Sequence, residues 1–244
     1  ASELPQMSGA LGDETEVATA LRFRLNAGLR QIALFVVPSI AAFLILGDVI
    51  VGAIYRTGRF TQADVTYVWG ILCGSTVGLL ASTLSRLYSS TYYALRDTRT
   101  PLRFAILRVV LTTILGYLSA LPLPRALGID PRWGVAGLTI SAGIASWVEF
   151  ALLRRALNRR IGDTGIAPGY LGKLWTAALL AAGCAWLIHH FVPLRSAVLT
   201  SVLVLIPYGL IYFASTLAMQ LNEARIFSQA ILRQFVSISR SPKS

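Results

Sequence analysis

The stretch that decides the fold is SRLYSSTYYALRDTRTPLR, which runs from Ser85 to Arg103. It closes one long apolar run, makes a short charged turn and opens a second apolar run. The turn is too short to hold a domain, yet it concentrates charge on Arg96, Asp97 and Arg99. Short arginine-rich loops stay on the cytoplasmic side of a membrane, so this turn predicts the topology if its flanking runs are spans.

Two helix starts are visible in the sequence around this stretch. Thr100 offers a hydroxyl at an N-cap position, and Pro101 follows at the first helical position, where its missing N–H costs nothing. We therefore expect a helix from Pro101. Thr61 with Asp64 three residues later predicts a capping box at the start of the preceding helix.

Composition places the chain in a membrane. Of its 244 residues, 55% are hydrophobic and only 14% are charged, whereas a soluble domain carries about a quarter charged residues. Residues 65–85, 174–194 and 196–222 contain no Asp, Glu, Lys or Arg, and residues 32–55 contain only Asp48. A helix of about 20 residues crosses a hydrocarbon core of roughly 30 Å. The sequence therefore predicts an all-α, polytopic membrane helical bundle.

Six transmembrane helices account for the apolar runs, and they suggest four regions of chain. The predicted spans cover about residues 32–55, 65–95, 101–121, 133–153, 173–191 and 197–221. We expect residues 1–31 to hold the cytoplasmic end of a preceding helix and an amphipathic segment on the membrane surface. Residues 32–160 are then a four-helix core, residues 161–221 a two-helix pair, and residues 222–244 an interfacial cytoplasmic tail.

The net charge of +11 follows the positive-inside pattern of a membrane protein. Six spans put both ends of the chain on one side, and that side collects about three Lys or Arg for each one on the other side. Both ends are therefore predicted to be cytoplasmic. Because the excess charge lies in loops between apolar runs, it indicates contact with membrane lipids and does not indicate nucleic-acid binding.

Three ionisable residues fall inside predicted spans and are the candidate site. Arg86, Arg108 and Glu149 lie roughly 7–14 Å from the cytoplasmic ends of spans two, three and four. Ionisable groups at that depth face a cavity or one another. One hypothesis is a polar cluster on a substrate path, in which an arginine meets a phosphate. The alternative is that the arginines extend to the headgroups and that one Arg–Glu pair joins two helices.

Small residues recur every fourth position in two of these spans. Span two has Gly70, Gly74, Gly78 and Ser82 before Arg86, and span four has Gly137, Ser141 and Ala145 before Glu149. Small residues at this spacing let helices approach closely. The two rows either face a common interior or serve ordinary helix packing.

Signals of enzyme chemistry are missing from the sequence. It contains no GxGxxG, P-loop or HExxH motif, and Cys73 and Cys184 lie in separate apolar runs. We expect His189 and His190 at the outer loop, where span five ends, without nearby acidic residues. We therefore expect no cofactor, no metal site and no enzyme activity.

A family resemblance rests on motifs at the turns. The segment from Gly58 through Phe60 to Thr61, and the later segment YALRDTRTP at residues 93–101, resemble the MurJ/MviN family of lipid II flippases. Residues 4–8 are similar to the end of that family's eighth span, and residues 28–30 to the start of its ninth. The motif residues are Gly58, Phe60, Arg96, Asp97 and Pro101.

The resemblance implies that this chain is half of a fourteen-helix fold and corresponds to its spans nine to fourteen. That fold belongs to the multidrug/oligosaccharidyl-lipid/polysaccharide exporter superfamily. The family exports lipid II, the undecaprenyl-linked peptidoglycan precursor, across the bacterial inner membrane by alternating access. Its two halves enclose a cationic cavity, and its last two helices form a groove for the lipid tail. The partner of this chain is then an N-terminal lobe that is missing here, with lipid II as substrate. Alternatives are another polyprenyl-linked glycan as substrate, or a non-transporting membrane scaffold.

Overall fold

A computed structural model gives the architecture of residues 4–55, 60–128, 130–192 and 196–229, with side chains described from residue 16 onward. The long helices are α1 (Leu4–Ile45), α3 (Gln62–Ala94), α4 (Arg99–Ala120), α6 (Gly134–Ile161), α7 (Pro168–Phe191) and α8 (Ala197–Ala218). Two short helices, α2 (Gly47–Tyr55) and α5 (Pro122–Ala126), and a 3₁₀ turn (Pro131–Trp133) join them. Residues 222–229 are also helical, and the described ranges contain no strand.

Six helices in the described residues are long and apolar enough to span a membrane, as predicted. These candidate spans are Glu16–Ile45, Gln62–Ala94, Arg99–Ala126, Pro131–Ile161, Pro168–Phe191 and Ala197–Ala218. The all-α, six-span architecture is therefore confirmed.

Some boundaries differ from those expected. The segment at residues 17–30 is continuous with the first span in α1, and its residues Leu25 and Leu29 are buried. The first span also ends earlier than expected, because a bend at Leu46 interrupts the helix before α2 begins. Helix α6 continues two turns beyond its predicted end near Leu153. Of the predicted interfacial tail, only residues 222–229 lie within the described part of the chain.

The chain divides into two compact units that do not coincide with the expected regions. The first unit contains Ala1–Ile32 and Thr66–Ala167, and the second contains Ala33–Val65 and Pro168–Ser244. The later part of α1 and the short α2 therefore group with α7 and α8 in the second unit. The predicted four-helix core had placed these residues with α3, α4 and α6.

In the first unit, α6 packs between close neighbours on two of its sides. A Cβ on Gly78 of α3 would collide with the Cα of Gly143 in α6, and a Cβ on Gly143 would lie 2.8 Å from the Gly78 nitrogen. On another side of α6, a Cβ on Gly137 would lie 2.9 Å from the Ser119 carbonyl oxygen of α4. The two rows of small residues thus serve helix packing against different partners. They do not line one shared interior.

The capping box predicted at the start of α3 is present. The Asp64 carboxylate accepts from the Thr61 N–H at 2.8 Å and from the Thr61 hydroxyl at 2.7 Å. In return the Thr61 hydroxyl accepts from the Asp64 N–H at 3.4 Å. Phe60 precedes this box and lies against Tyr55 with 5.9 Å between ring centroids. Gly58, the other motif residue of this turn, lies outside the described residues.

In the second unit, two tyrosines of α8 donate to carbonyls near a proline within α1, and one of them compensates for the missing proline N–H. Pro38 has no N–H, so it cannot form the helical hydrogen bond to the carbonyl of Leu34 four residues earlier. The Tyr212 hydroxyl donates to that carbonyl at 2.6 Å, and the Tyr208 hydroxyl donates to the Pro38 carbonyl at 2.6 Å. Because no water is available in a bilayer core, this donation satisfies a carbonyl that the proline leaves open.

The Tyr212 hydroxyl should therefore matter only while Pro38 is present. We expect Tyr212→Phe to lower the free energy of unfolding by about 1–2 kcal/mol, since it leaves a buried carbonyl without a donor. In a Pro38→Ala background the restored backbone N–H takes over, and the same change should cost less than about 0.5 kcal/mol. Unfolding in mixed detergent micelles measures both values.

Tyr67→Phe is the matched control, because the Tyr67 hydroxyl also donates to a carbonyl, that of Arg132, at 2.9 Å. Its cost should be the same with Pro38 or Ala at position 38. An equal cost of Tyr212→Phe in the two backgrounds would contradict the compensation.

Candidate functional site

The structure brings together two of the three intramembrane ionisable residues. Arg108 of α4 and Glu149 of α6 form an ion pair with 3.1 Å between Nη1 and Oε2. The two side chains are unequally buried, since Glu149 is 7% exposed and Arg108 is 42% exposed. A carboxylate buried to that degree needs a partner, whereas the arginine keeps donors on its exposed side. The pair joins two helices and leaves part of the guanidinium accessible.

Hydroxyl groups extend the polar contact between the same two helices. Ser119 of α4 and Ser141 of α6 share a hydrogen bond of 2.9 Å, and the Ser141 hydroxyl also donates to the Gly137 carbonyl at 2.8 Å. Glu149 lies two turns further along α6 on the same side. Hydrogen bonds between spans hold helices together where lipid tails remove the hydrophobic driving force. The Arg108–Glu149 pair is therefore one end of a polar seam.

Arg86 does not join this pair. It lies exposed on α3, and it forms no hydrogen bond or ion pair with any other residue in the described part of the chain. Its neighbours Ser85 and Tyr88 are buried, so Arg86 lies on the opposite side of α3 from the core of the unit. Of the predicted three-residue cluster, the structure forms the Arg108–Glu149 contact and places Arg86 on an open surface.

The turn between α3 and α4 is fixed by a left-handed residue. Arg96 has φ of 56°, and the N–H groups of Arg96 and Asp97 donate to the carbonyls of Tyr93 and Tyr92, each at 3.0 Å. This is the Schellman arrangement that ends many helices, with arginine where glycine is usual. Arg96 therefore ends α3 through its backbone, at a conformational cost that a glycine would avoid.

Asp97, and not Thr100, caps the start of α4. The Asp97 carboxylate accepts from the Thr100 N–H at 3.0 Å and from the Thr100 hydroxyl at 2.7 Å. The expected Thr100 cap was wrong, because the helix begins at Arg99 and the hydroxyl acts as a donor to the carboxylate. Pro101 is buried within the first turn of α4. An acidic group at this end also offsets the helix dipole.

Asp97 also ties this turn to the end of α6. Arg160 Nη1 lies 2.8 Å from the Asp97 carboxylate, and its guanidinium lies 5.5 Å above the Tyr92 ring. Hydrogen bonds from Thr100, followed by those from Arg160, hold the pKa of Asp97 well below its ordinary value, at about 2. The sequence does not single out Arg160, which counts there only among the Lys and Arg of its side. The single acidic residue among the arginines of the turn was the available signal for this contact.

No group of three or more His, Cys, Asp or Glu in the described residues is arranged to hold a metal ion. The His190 ring stacks on Trp186 with 5.6 Å between centroids. Neither Cys73 nor Cys184 forms a disulfide bond.

Removing the two partners of the intramembrane pair should have unequal effects. Arg108→Leu leaves the buried Glu149 carboxylate without a partner, and we expect a loss of about 2 kcal/mol in the free energy of unfolding. Glu149→Leu leaves a half-exposed arginine that reaches water, and it should cost less than about 1 kcal/mol. The swap Arg108→Glu with Glu149→Arg should recover part of the loss. Equal costs, with no recovery in the swap, would contradict a stabilising pair.

Asp97→Ala should destabilise the turn by about 1 kcal/mol through loss of the helix cap. Because the pKa of Asp97 is lowered by folding, its ionised form stabilises the folded state above the ordinary carboxyl pKa. That contribution disappears as the pH falls toward 2. The difference in melting temperature between the original chain and Asp97→Ala should thus be constant from pH 5 to 8 and shrink below about pH 4. Asp97→Asn keeps an acceptor oxygen, so it should lower the melting temperature less than Asp97→Ala does. A difference in melting temperature that is independent of pH would exclude a stabilising role for the Asp97 charge.

Known proteins are similar to this chain in sequence. The family model described as "Lipid II flippase MurJ" matches residues 3–208. A lipid II flippase MurJ from Burkholderia cenocepacia is 30% identical over 184 residues, which are 74% of this chain and 33% of that protein. A probable lipid II flippase MurJ from Buchnera aphidicola subsp. Baizongia pistaciae is 26% identical over 133 residues, which are 54% of this chain and 24% of that protein.

A solved structure shows the same fold. The structure titled "Lipid II flippase MurJ, inward closed conformation" matches with a TM-score of 0.65 and 17% identity, over 85% of this chain and 42% of that one. The chain spans about a third or less of the length of these two curated relatives. Its six candidate spans and these relatives indicate a multi-pass membrane protein. Because the family model matches most of its residues, the chain belongs to the lipid II flippase MurJ family.

Proposed function

We propose that this chain is the C-terminal half of a lipid II flippase that works by alternating access in the bacterial inner membrane. The observation that carries the proposal is the family match over residues 3–208, together with curated relatives that are named lipid II flippases. The chain covers 42% of a solved MurJ structure, and that share supports a second, N-terminal lobe as its partner. The inward closed state of that structure supports a cycle between alternative conformations.

In this proposal the polar seam between α4 and α6 keeps the two helices together while the lobes move. The Arg108–Glu149 pair and the Ser119–Ser141 bond would have to break for the helices to separate, and breaking them inside a bilayer exposes unsatisfied groups. The two helices then move as one rigid element. Their role is mechanical, and no step of the activity is chemical; the protein is a transporter and not an enzyme.

Arg86 is the residue that we propose to meet the substrate. It is the exposed intramembrane arginine without a partner in the described chain, and a free guanidinium binds phosphate oxygens by charge-assisted hydrogen bonds. Lipid II carries a pyrophosphate, and an arginine within a span that has no protein partner can bind the oxygens of that group. In the orientation that we propose, both ends of the chain are cytoplasmic, as the positive-inside pattern indicates.

Complementation tests the function and the role of Arg86 together. The complete gene that encodes this chain would be expressed in bacteria depleted of their own lipid II flippase. We expect growth with the original gene and with Arg125→Ala, a control that removes another exposed arginine of the same unit. Arg86→Ala should reach the membrane in equal amount and fail to support growth.

The outcomes separate the alternatives. Growth with Arg86→Ala would keep the flippase assignment and reject Arg86 as a substrate contact. Failure of the well-expressed original gene would reject lipid II as substrate. It would favour another polyprenyl-linked glycan as substrate or a scaffold without transport. Rescue of an O-antigen or capsule flippase mutant would indicate the other glycan, and failure of that rescue would indicate the scaffold. Growth with the 244-residue chain alone would overturn the need for an N-terminal lobe.

A further inference from the structure

A groove of 550 Å³ lies along the C-terminal half of α6. Trp147, Phe150 and Ala151 form its apolar end, and Arg155 and Arg159 line its other end. We call this feature the basic groove. It lies entirely on residues of the first compact unit, and neither the Arg108–Glu149 pair nor Arg86 contributes to it.

The basic groove lies where α6 leaves the hydrocarbon. Helix α6 has 28 residues and is therefore about 42 Å long, which exceeds a hydrocarbon core of roughly 30 Å. The exposed apolar side chains Ile140 and Ile144 precede Trp147, the first groove residue along the helix, and Arg155 and Arg159 follow after the last apolar turn. An apolar track thus runs from the membrane interior directly to two arginines at the interface.

The apolar end of the basic groove is held rigidly. The Trp147 indole N–H donates to the Val77 carbonyl of α3 at 2.7 Å. The Trp147 ring meets Phe150 edge-on with 5.7 Å between centroids, and Phe150 meets the buried Tyr88 edge-on at 5.5 Å. Because these rings are fixed by neighbouring helices, the groove is formed before any ligand arrives, which lowers the entropic cost of binding.

The arginines around the basic groove differ in whether they have a protein partner. Arg154 donates from Nε to the Thr164 carbonyl at 2.9 Å. Arg155 and Arg159 stand one helical turn apart, are exposed, and have no hydrogen-bond or ion-pair partner among the described residues. Asp163 is the one acidic side chain that lines the groove, so its charge is net positive. Two unpaired guanidinium groups at this spacing suit a single phosphate.

We propose that the basic groove binds an anionic glycerophospholipid of the surrounding bilayer. The phosphate lies between Arg155 and Arg159, and an acyl chain lies against Ala151 and Trp147. Basic pockets at the membrane interface between spans bind anionic headgroups, and the apolar track favours a ligand with a chain over a soluble phosphate. The proposal does not depend on transport, since a chain that moves no substrate would still bind this lipid.

Retention of phosphatidylglycerol by the purified 244-residue chain tests the proposal. Native mass spectrometry of the chain in mixed micelles would count bound phosphatidylglycerol against phosphatidylcholine with the same acyl chains. We expect Arg155→Gln with Arg159→Gln to lower the affinity for phosphatidylglycerol about thirtyfold, at about one kcal/mol per arginine. Arg125→Gln, which removes an exposed arginine outside the groove, should leave the affinity unchanged.

Two further variants probe the apolar end and the acidic side chain. Ala151→Phe fills the acyl track while both arginines stay in place, so it should also weaken phosphatidylglycerol binding at least severalfold. Asp163→Asn removes the one negative charge of the groove and should strengthen binding. All changed side chains are exposed, so each variant should keep the melting temperature of the original chain, which shows that a loss of binding is not a loss of fold.

Several results would overturn the proposal. Equal retention of phosphatidylcholine would show a groove without charge recognition, and equal loss with Arg125→Gln would show a nonspecific charge effect. Displacement of the lipid by millimolar glycerol 3-phosphate, with no effect of Ala151→Phe, would show a site for phosphate alone. Unchanged binding by the double arginine variant would place the lipid elsewhere on the chain.

Discussion

The structure depends on one constraint, that polar backbone groups within a membrane must find their partners inside the protein. Pro38 breaks this rule within α1, and Tyr212 restores it with a hydroxyl from α8. The repair has a structural consequence. It holds the later part of α1 against α8, which is why these residues belong to the second compact unit although the sequence continues α1 without interruption.

The same constraint explains how the first unit holds together. Between spans the lipid tails are as apolar as the side chains, so close backbone approach and polar contacts replace the hydrophobic effect. Gly78 and Gly143 let α3 and α6 touch, and a Cβ on either residue would meet backbone, which cannot move aside as a flexible side chain can. On its other side α6 holds α4 through Ser141 and Glu149. The spacing of small residues thus determines distance, and the polar groups determine register.

The sequence predicts the spans well because the absence of charge over about 20 residues is a direct physical requirement for crossing a bilayer. It also offers an Arg–Glu pair between two spans as one of two alternatives, and the structure forms that pair between Arg108 and Glu149. It does not show which helix each row of small residues packs against, because small side chains allow any neighbouring helix to approach closely. The Thr100 cap failed for a related reason: a hydroxyl both donates and accepts, and only the structure shows that Asp97 is the acceptor.

The arginines show most clearly what a charge count leaves out. A charge count treats the arginines alike, yet the structure gives them different tasks. Arg160 joins a turn to a helix end, Arg154 donates to the Thr164 carbonyl, and Arg108 pairs with Glu149. Each of these arginines has a nearby protein partner, so its guanidinium is engaged in a contact within the fold. Arg86, Arg155 and Arg159 have no such partner among the described residues, and a guanidinium at a membrane interface without a protein partner is available to phosphate. The absence of a protein partner, combined with the place of an arginine on the helix, therefore distinguishes the arginines that we propose to contact lipid phosphates in a way that the total charge does not.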